Sequence, residues 1–207
     1  MNSSTQRQQI NGPAGQIECA IDAPPAGHSI RGVAVICHPN PTQGGTMDNK
    51  VVQTLARALV HLGYRTVRFN FRGIGRSEGG WDEGRGEVDD CLAVVQHFRE
   101  SALPLTLAGF SFGGFVASRA AQQLPADQAA ERLLLVGPAT SRFDTAPVPA
   151  DTVVIHGEVD DVVPLRAVLD WARPQSLPVT VVPGVGHFFH GQLPLLKNIV
   201  LRSWHPA

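Results

Sequence analysis

Six short, nearly continuous runs of apolar residues divide the chain. Strands that are covered on both faces of a sheet read as such runs, so the pattern predicts a mostly parallel sheet. A weaker strand is predicted over Gln16 to Asp22, ending before Pro24. The six predicted strands are VAVIC (Val33 to Cys37), RTVRFNF (Arg65 to Phe71), LTLAGF (Leu105 to Phe110), RLLLVG (Arg132 to Gly137), TVVIHG (Thr152 to Gly157) and VTVV (Val179 to Val182).

Segments with an apolar residue at every third or fourth position separate these runs. Such spacing places the apolar side chains in one stripe, which a helix can bury against a sheet. Alternating strands and helices are typical of an α/β fold with helices on both faces of the sheet. The stripes are Val52, Leu55, Leu59 and Leu62; Val88, Leu92, Val95 and Phe98; and Leu193, Leu196, Val200 and Trp204.

Length and composition restrict this fold to one domain. The 207 residues, 43% of them hydrophobic, suffice to fill one substantial core. We predict a single domain over residues 11–207. The first ten residues are polar, so residues 1–10 are predicted to form a loosely held tail.

Charge and cysteine content argue against several classes of partner. A formal net charge of -1 gives no electrostatic reason to expect a nucleic acid or an anionic membrane as partner. No run approaches the roughly 20 apolar residues of a membrane-spanning helix, and the N-terminus lacks the apolar stretch of a secretory signal. The three cysteines form no C-x-x-C pair, so we expect neither a disulfide framework nor a zinc knuckle and predict a cytoplasmic location.

The pentapeptide G-x-S-x-G follows the strand run LTLAGF and precedes an alanine-rich helical segment. It reads Gly109-Phe110-Ser111-Phe112-Gly113. A serine on a sharp strand-to-helix turn projects its hydroxyl into the open, and glycines on both sides let the backbones approach. The N-terminal N–H groups of the following helix point at the same place. This context favours function over chance occurrence and predicts Ser111 as a nucleophile.

A serine nucleophile of this type needs an orienting carboxylate and then a histidine, in that order along the chain. Three carboxylates, Glu158, Asp160 and Asp161, follow the strand run TVVIHG. Aspartates here would also suit a turn or a helix cap before Pro164. Chemistry alone leaves Asp160 and Asp161 open as the acid, with Glu158 a weaker candidate.

Eight histidines compete for the role of general base. His187 fits best because it follows the last predicted strand, at the carboxyl edge where catalytic groups collect in open α/β sheets. His156 precedes the candidate acids and breaks the expected order, while His61 and His97 read as ordinary helix residues. His190 forms an H-x-x-H pair with His187, but no third ligand accompanies them, so we expect no metal site.

Acyl transfer also requires two N–H donors for the oxyanion, one directly after the nucleophile and one after an earlier strand. Phe112 supplies the first amide. The second donor is expected in the loop that begins Cys37-His38-Pro39-Asn40-Pro41, where the prolines have no N–H. We predict the amide of Asn40, with Thr42 the next amide along. The same proline-rich stretch would also serve simply to turn the chain.

Five segments together resemble the small bacterial hydrolases of the α/β superfamily. The resemblance implies an α/β-hydrolase fold with a mostly parallel sheet of about eight strands, a Ser-Asp-His triad and no cofactor. Carried over by position, H-G-x-x-D-x-x-V-P places the acid at Asp160, and G-H places the base at His187. The segments are HPNPTQGGTMDNKVV (His38 to Val52), FNFRGIGRSEGG (Phe69 to Gly80), GFSFGG around Ser111, HGEVDDVVP (His156 to Pro164) and GVGHFFHG (Gly184 to Gly191).

The sequence departs from larger relatives because it leaves no room for a cap domain. Only about fourteen residues separate Gly137 from Thr152, where those relatives insert a lid. An open, shallow site favours small or flexible acyl esters. We therefore predict a carboxylesterase-like serine hydrolase with a small-molecule acyl substrate and an acyl-enzyme intermediate. The alternatives are a thioesterase or peptidase with the same triad, or a non-catalytic binding protein.

Overall fold

The computed structural model describes residues 5–204, which contain one eight-stranded sheet. The strands lie in the order β1-β2-β4-β3-β5-β6-β7-β8. β2 pairs antiparallel with β1 and β4, and every other pair is parallel. The predicted sheet is thereby confirmed. Its strands are β1 (Gln6–Gly12), β2 (Gly15–Asp22), β3 (Gly32–Cys37), β4 (Tyr64–Phe69), β5 (Leu105–Phe110), β6 (Arg132–Val136), β7 (Val153–Gly157) and β8 (Val179–Val182).

Five α-helices cover both faces of this sheet, as predicted. Because side chains alternate along a strand, Ala34 and Ile36 face α1 and α5, whereas Val35 and Cys37 face α2 and α3. α4 packs over Val154 on the same face as α2 and α3. The helices are α1 (Lys50–His61), α2 (Arg85–Phe98), α3 (Phe112–Gln123), α4 (Leu165–Ala172) and α5 (Leu193–Ser203).

The predicted tail over residues 1–10 is wrong for residues 6–10, which belong to β1. This strand pairs with β2 in register from Gln6 opposite Ile21 to Gly12 opposite Gly15. Ile10 is its one buried residue. An edge strand is held by backbone hydrogen bonds and commonly exposes polar side chains, so it leaves no apolar run in the sequence. Residues 1–4 lie outside the described part of the chain.

The carboxyl edge of the parallel strands is left without a cap. Residues 137–152, which connect β6 to β7, contain turns and bends but no helix or strand. The predicted absence of a cap domain is therefore confirmed. None of the helices within residues 5–204 is long and apolar enough to cross a membrane.

Candidate active site

Ser111 lies at the sharp turn between β5 and α3. Its backbone adopts φ 56° and ψ -118°. A serine at positive φ is costly and persists where the surrounding structure enforces it. The Ser111 amide donates to the carbonyl of Val136 at 2.9 Å, and its carbonyl accepts from the amides of Gly114 at 2.9 Å and Ala139 at 3.2 Å. These bonds hold the turn.

The glycines on both sides of Ser111 are required by close backbone contacts. A Cβ on Gly109 would lie 2.1 Å from the carbonyl oxygen of Gly113. A Cβ on Gly113 would lie 2.2 Å from the carbonyl oxygen of Cys37. Any larger residue would push α3 away from β5 and from the end of β3. The second contact also brings the first turn of α3 against the loop that follows β3.

A short hydrogen bond joins Asp160 and His187. Nδ1 of His187 lies 2.6 Å from Oδ2 of Asp160. Oδ1 of the same carboxylate accepts from the amides of Val162 at 2.9 Å and Val163 at 2.7 Å. Asp161 is exposed, and no hydrogen bond joins it to His187 within residues 5–204. The geometry favours Asp160 over Asp161 as the partner of the predicted base.

Local interactions keep the Asp160 carboxylate ionised. Burial alone would raise the pKa of Asp160, but the hydrogen bonds from His187 and from the Val163 amide outweigh burial, and the pKa is lowered. An ionised carboxylate accepts a hydrogen bond from Nδ1–H of His187. Nε2 of a neutral imidazole then has a free lone pair, which is the arrangement that a general base requires.

His187 and Ser111 line one cavity of about 320 Å³. They are 3% and 7% exposed, respectively. The imidazole packs on the ring of Phe110, with 4.8 Å between ring centroids. No hydrogen bond joins Ser111 Oγ to His187 in the described part of the chain. Such bonds are often long before substrate binds. The structure thus brings the three predicted side chains to one edge of the sheet and pairs two of them.

The predicted oxyanion donors lie beside this cavity. Phe112 is the first residue of α3, and Asn40 lines the cavity with Ser111. Within residues 5–204, neither the Phe112 amide nor the Asn40 amide donates to a protein acceptor. The amide of Thr42 donates to Oδ1 of Asn40 at 2.9 Å. Because the Thr42 amide is occupied, Asn40 is the better candidate of the two.

His38 supports the loop that carries Asn40, a role that sequence reasoning missed. Its Nδ1 lies 2.7 Å from the carbonyl oxygen of Pro39, and its Nε2 lies 3.1 Å from the amide nitrogen of Phe71. A carbonyl accepts and an amide donates, so Nδ1 carries the proton and the ring is neutral. Burial lowers the pKa of His38 to about 4, and the bond to Pro39 only partly opposes this.

Arg68 and Asn70 support the other end of the same loop, and sequence reasoning missed them too. Arg68 Nη1 donates to the carbonyl of Met47 at 3.0 Å, and Asn70 Oδ1 accepts from the Met47 amide at 2.9 Å. Arg68 also pairs with Asp22 at 3.0 Å. Both side chains are almost fully buried. Their presence inside the predicted strand run RTVRFNF was the available signal, because buried polar groups need partners.

The described residues offer no metal-binding cluster. No three His, Cys, Asp or Glu side chains within residues 5–204 are placed to hold an ion together. His190 is exposed and lies beside Phe188, with 5.7 Å between ring centroids. The three cysteines are buried and free, and burial raises the pKa of Cys19 to about 12. The protonated Cys19 thiol is therefore a poor nucleophile or ligand.

Comparison with known proteins places this chain in a family. A model of the family described as "Serine aminopeptidase, S33" matches residues 28–168. The chain belongs to this α/β-hydrolase family. A lidless serine hydrolase of known structure from Xanthomonas campestris is 38% identical to the hydrolase, with a TM-score of 0.88 over 100% of this chain and 98% of that chain. A serine hydrolase homologue from Coxiella burnetii is 40% identical, with a TM-score of 0.82 over 97% of each chain.

A curated relative shows that the similarity extends to other bacteria. An uncharacterized protein of Rickettsia prowazekii (strain Madrid E) is 30% identical over 196 residues, which cover 87% of this hydrolase and 80% of that protein. The predicted α/β-hydrolase fold and superfamily are thereby confirmed. Hydrolase activity is the function that this family supports.

Proposed function

We propose that this hydrolase cleaves small or flexible acyl esters through an acyl-enzyme intermediate on Ser111. The hydrogen bond between His187 and Asp160 carries the proposal, because it leaves Nε2 of His187 free at a cavity lined by Ser111. Nε2 removes the Ser111 proton while Oγ attacks the ester carbonyl carbon. The tetrahedral intermediate then collapses. The bond to the alcohol breaks, and the alcohol leaves with the proton that His187 returns.

Water completes the cycle. His187 takes a proton from a water molecule, whose oxygen attacks the acyl carbon. The bond between the acyl carbon and Ser111 Oγ breaks, and His187 returns the proton to Oγ. Asp160 stays ionised throughout, holds the imidazole in the required tautomer and stabilises the imidazolium. Every proton in the cycle moves between the serine, the histidine, the substrate and water.

The amides of Phe112 and Asn40 stabilise the oxyanion in this proposal. Both N–H groups are unused by the protein within residues 5–204, and both belong to segments beside Ser111. The positive end of α3 adds to their effect, because unpaired N–H groups at a helix N-terminus favour negative charge. Such preorganised donors are among the largest contributions to catalysis of acyl transfer.

The shape of the site supports a small substrate. The cavity at Ser111 is open and, at about 320 Å³, lies at the small end of the range for ligand sites. A second cavity of about 250 Å³ shares Asn49 and Phe188 with it and has Val51 and Leu193 on its walls. Together they provide room for a short ester with one apolar group, and no cap buries a long chain.

One observation favours a second candidate, the cleavage of aminoacyl bonds. The carboxylate of Asp161 lines the same cavity as Ser111, and no ion pair within residues 5–204 neutralises it. An unpaired carboxylate there suits the α-ammonium group of an N-terminal residue. The family description, which names a serine aminopeptidase, is consistent with this candidate. The same Ser-His-Asp chemistry attacks amides and thioesters as well as esters.

A panel of substrates separates these functions. We expect p-nitrophenyl acetate and p-nitrophenyl butyrate to be hydrolysed. The value of kcat/KM for p-nitrophenyl dodecanoate should be lower by about tenfold or more, because the open site cannot cover a long chain. Acyl-CoA and L-aminoacyl p-nitroanilides complete the panel. Faster turnover of the anilides, lost in Asp161→Asn, would establish the aminopeptidase instead. Faster turnover of acyl-CoA would establish a thioesterase, and turnover of none of them would leave a binding protein.

A further inference from the structure

A second buried imidazole lies against the carboxylate that bonds His187. His156 is in β7 and is 0% exposed. Its Nε2 lies 2.9 Å from the carbonyl oxygen of Val163 and 3.4 Å from Oδ2 of Asp160. The acyl-transfer cycle described above assigns it no part. A buried histidine beside a catalytic carboxylate therefore needs an explanation.

The partners of His156 determine its tautomer. A carbonyl oxygen only accepts, so the nitrogen that faces Val163, Nε2, carries the proton. Nδ1 is buried, and no partner for it lies within residues 5–204. Protonation there would bury an N–H group without an acceptor, which agrees with the lowered pKa that burial gives His156. The ring is thus neutral: its Nε2–H donates to the Val163 carbonyl and lies 3.4 Å from Oδ2 of Asp160.

Both oxygens of the Asp160 carboxylate are surrounded by N–H groups. Oδ1 accepts from the amides of Val162 and Val163, and Oδ2 faces the imidazoles of His187 and His156. Val163 has two roles, since its amide holds Oδ1 while its carbonyl anchors His156. Rotation of the carboxylate would break bonds on both sides. The arrangement fixes Oδ2 toward Nδ1 of His187.

We propose that His156 is a positioning residue for the triad: its Nε2–H, anchored on the Val163 carbonyl, holds Oδ2 of Asp160 in place and withdraws part of its negative charge from His187. The proposal rests on the function proposed above, in which His187 is the base. It assigns His156 no contact with the substrate. The expected consequences concern the rate of the chemical step and its pH dependence.

The pH effect has a definite sign. Nδ1 of His187 at 2.6 Å and Nε2–H of His156 at 3.4 Å both face Oδ2. Removing His156 therefore leaves more negative charge facing His187 and favours the imidazolium. The midpoint at which activity appears with rising pH should then move upward. Asp160 and His187 are the titratable groups that interact with His156. On the flanking strands, Val181 is in register with His156, and Val136 is in register with the preceding residue, Ile155; both are uncharged.

Three substitutions separate positioning from packing. His156→Leu fills similar space without a donor, His156→Gln places an amide N–H near the position of Nε2, and His156→Asn places one near Nδ1. His97→Gln, at an exposed site on α2, is the matched control. Steady-state kinetics with p-nitrophenyl acetate from pH 5 to 9 and circular dichroism are measured for each. The proton NMR resonance of the hydrogen between His187 Nδ1 and Asp160 provides a readout independent of activity.

For His156→Leu we expect kcat to fall about tenfold, with KM nearly unchanged. This is the low end of the range for loss of a hydrogen bond to a charged group, because the 3.4 Å contact is longer than a typical hydrogen bond. The pH midpoint should rise by about half a unit or more, and the low-field resonance should shift or broaden. His156→Gln should recover most of the rate and the original midpoint, whereas His156→Asn should not. A folded Leu variant with wild-type kinetics would overturn the proposal.

The role of His156 and the proposed ester hydrolysis can each fail without the other. Equal activity and equal spectra of the Gln and Asn variants would also overturn it, even if the Leu variant does not fold. If the wild type hydrolyses no ester, the proposed function fails. The NMR comparison then still decides whether His156 positions the pair of His187 and Asp160.

Discussion

The two sides of the cavity are built in different ways. On the triad side, Ser111, Asp160 and His187 follow the carboxyl ends of β5, β7 and β8, and their side chains carry the proposed chemistry. On the oxyanion side, the loop of residues 38–49 contributes a backbone amide, that of Asn40. Buried side chains that do not line the cavity hold this backbone in place.

On one side the side chains themselves carry the proposed chemistry, whereas on the other side buried side chains only hold in place the backbone that contributes to it. A change on the triad side should remove activity while leaving the fold intact, because each group acts through its own side chain. A change beneath the oxyanion side should lower activity in smaller steps and lower stability at the same time, because it acts through the backbone. The expected loss of activity is therefore larger on the triad side than beneath the oxyanion side. Measuring rate and stability on the same variants tests this difference between the two sides.

The largest effect is expected on the triad side, at the nucleophile. Ser111→Ala should lower kcat by about 10⁴-fold to 10⁶-fold, since no other group takes over the attack. Stability should change little, because the turn is held by backbone hydrogen bonds that alanine retains. Kinetics with p-nitrophenyl acetate and thermal unfolding test this, with Ser101→Ala at an exposed site as control. Undiminished hydrolysis by the Ala variant would rule out Ser111 as nucleophile.

The next effect distinguishes two neighbouring carboxylates. Asp160→Asn should lower kcat by about 10³-fold to 10⁴-fold, because an amide at this position no longer enforces the required tautomer of His187. Asp161→Asn, one residue along and exposed, should leave ester hydrolysis within about threefold, as expected for an exposed charge that bonds neither triad partner. Parallel kinetics on the two variants measure the ratio. A larger loss in Asp161→Asn would reverse the assignment.

A smaller effect is expected beneath the oxyanion side. Asn70→Ala removes the acceptor of the Met47 amide and leaves a buried donor unsatisfied. The free energy of unfolding should fall by about 1–3 kcal/mol, and kcat by about tenfold. Urea unfolding and ester kinetics measure both, with Asn11→Ala on the exposed edge strand as control. A loss of activity as complete as in Ser111→Ala would contradict the separation of the two sides.

Replacing His38 should have the smallest effect on activity at neutral pH. Its contribution to the stability of the folded protein depends on pH and is lost in acid. The pKa of His38 is about 4 in the folded protein and ordinary, near 6.5, after unfolding. As pH falls below about 6.5, the unfolded chain binds a proton on His38 before the folded protein does. The contribution of His38 to stability is therefore fully present above about pH 6.5 and is lost as pH falls to about 4. The loss is on the order of 3 kcal/mol.

Denaturation of wild type and His38→Gln at pH 7 and pH 4.5 tests this contribution. Protonation of Asp160, whose lowered pKa acts in the same direction at lower pH, affects both proteins and cancels in the comparison. We expect the wild type to lose more stability than the variant between the two pH values. Equal losses would show that His38 titrates normally.

The sequence indicated where the triad side lies because several of its signals are local. Gly109 is required by its contact with Gly113, four residues along the chain. Apolar runs marked β5, β7 and β8. The choice between Asp160 and Asp161 rested on resemblance alone. It is now supported by the hydrogen bond to His187, which no local pattern contains.

The oxyanion side and the sheet edge were harder to predict because their determinants are long-range. In the sequence alone, nothing gives His38 or Asn70 a role. The role of His38 depends on the hydrogen bond from the Phe71 amide, and that of Asn70 on the hydrogen bond from the Met47 amide. β1 is held by pairing with β2 and buries one side chain, so polarity alone suggested a tail. In each case the controlling interaction joins residues that are far apart in sequence or uses backbone groups that every residue has.

Labelling with a fluorophosphonate, followed by mass spectrometry of the peptide that contains residue 111, tests directly whether Ser111 is the nucleophile. We expect one adduct, on the oxygen of Ser111, in the wild type. We expect no adduct in Ser111→Ala and much slower labelling in His187→Gln. An adduct on a different residue, or none on a folded wild-type protein, would show that Ser111 is not the nucleophile.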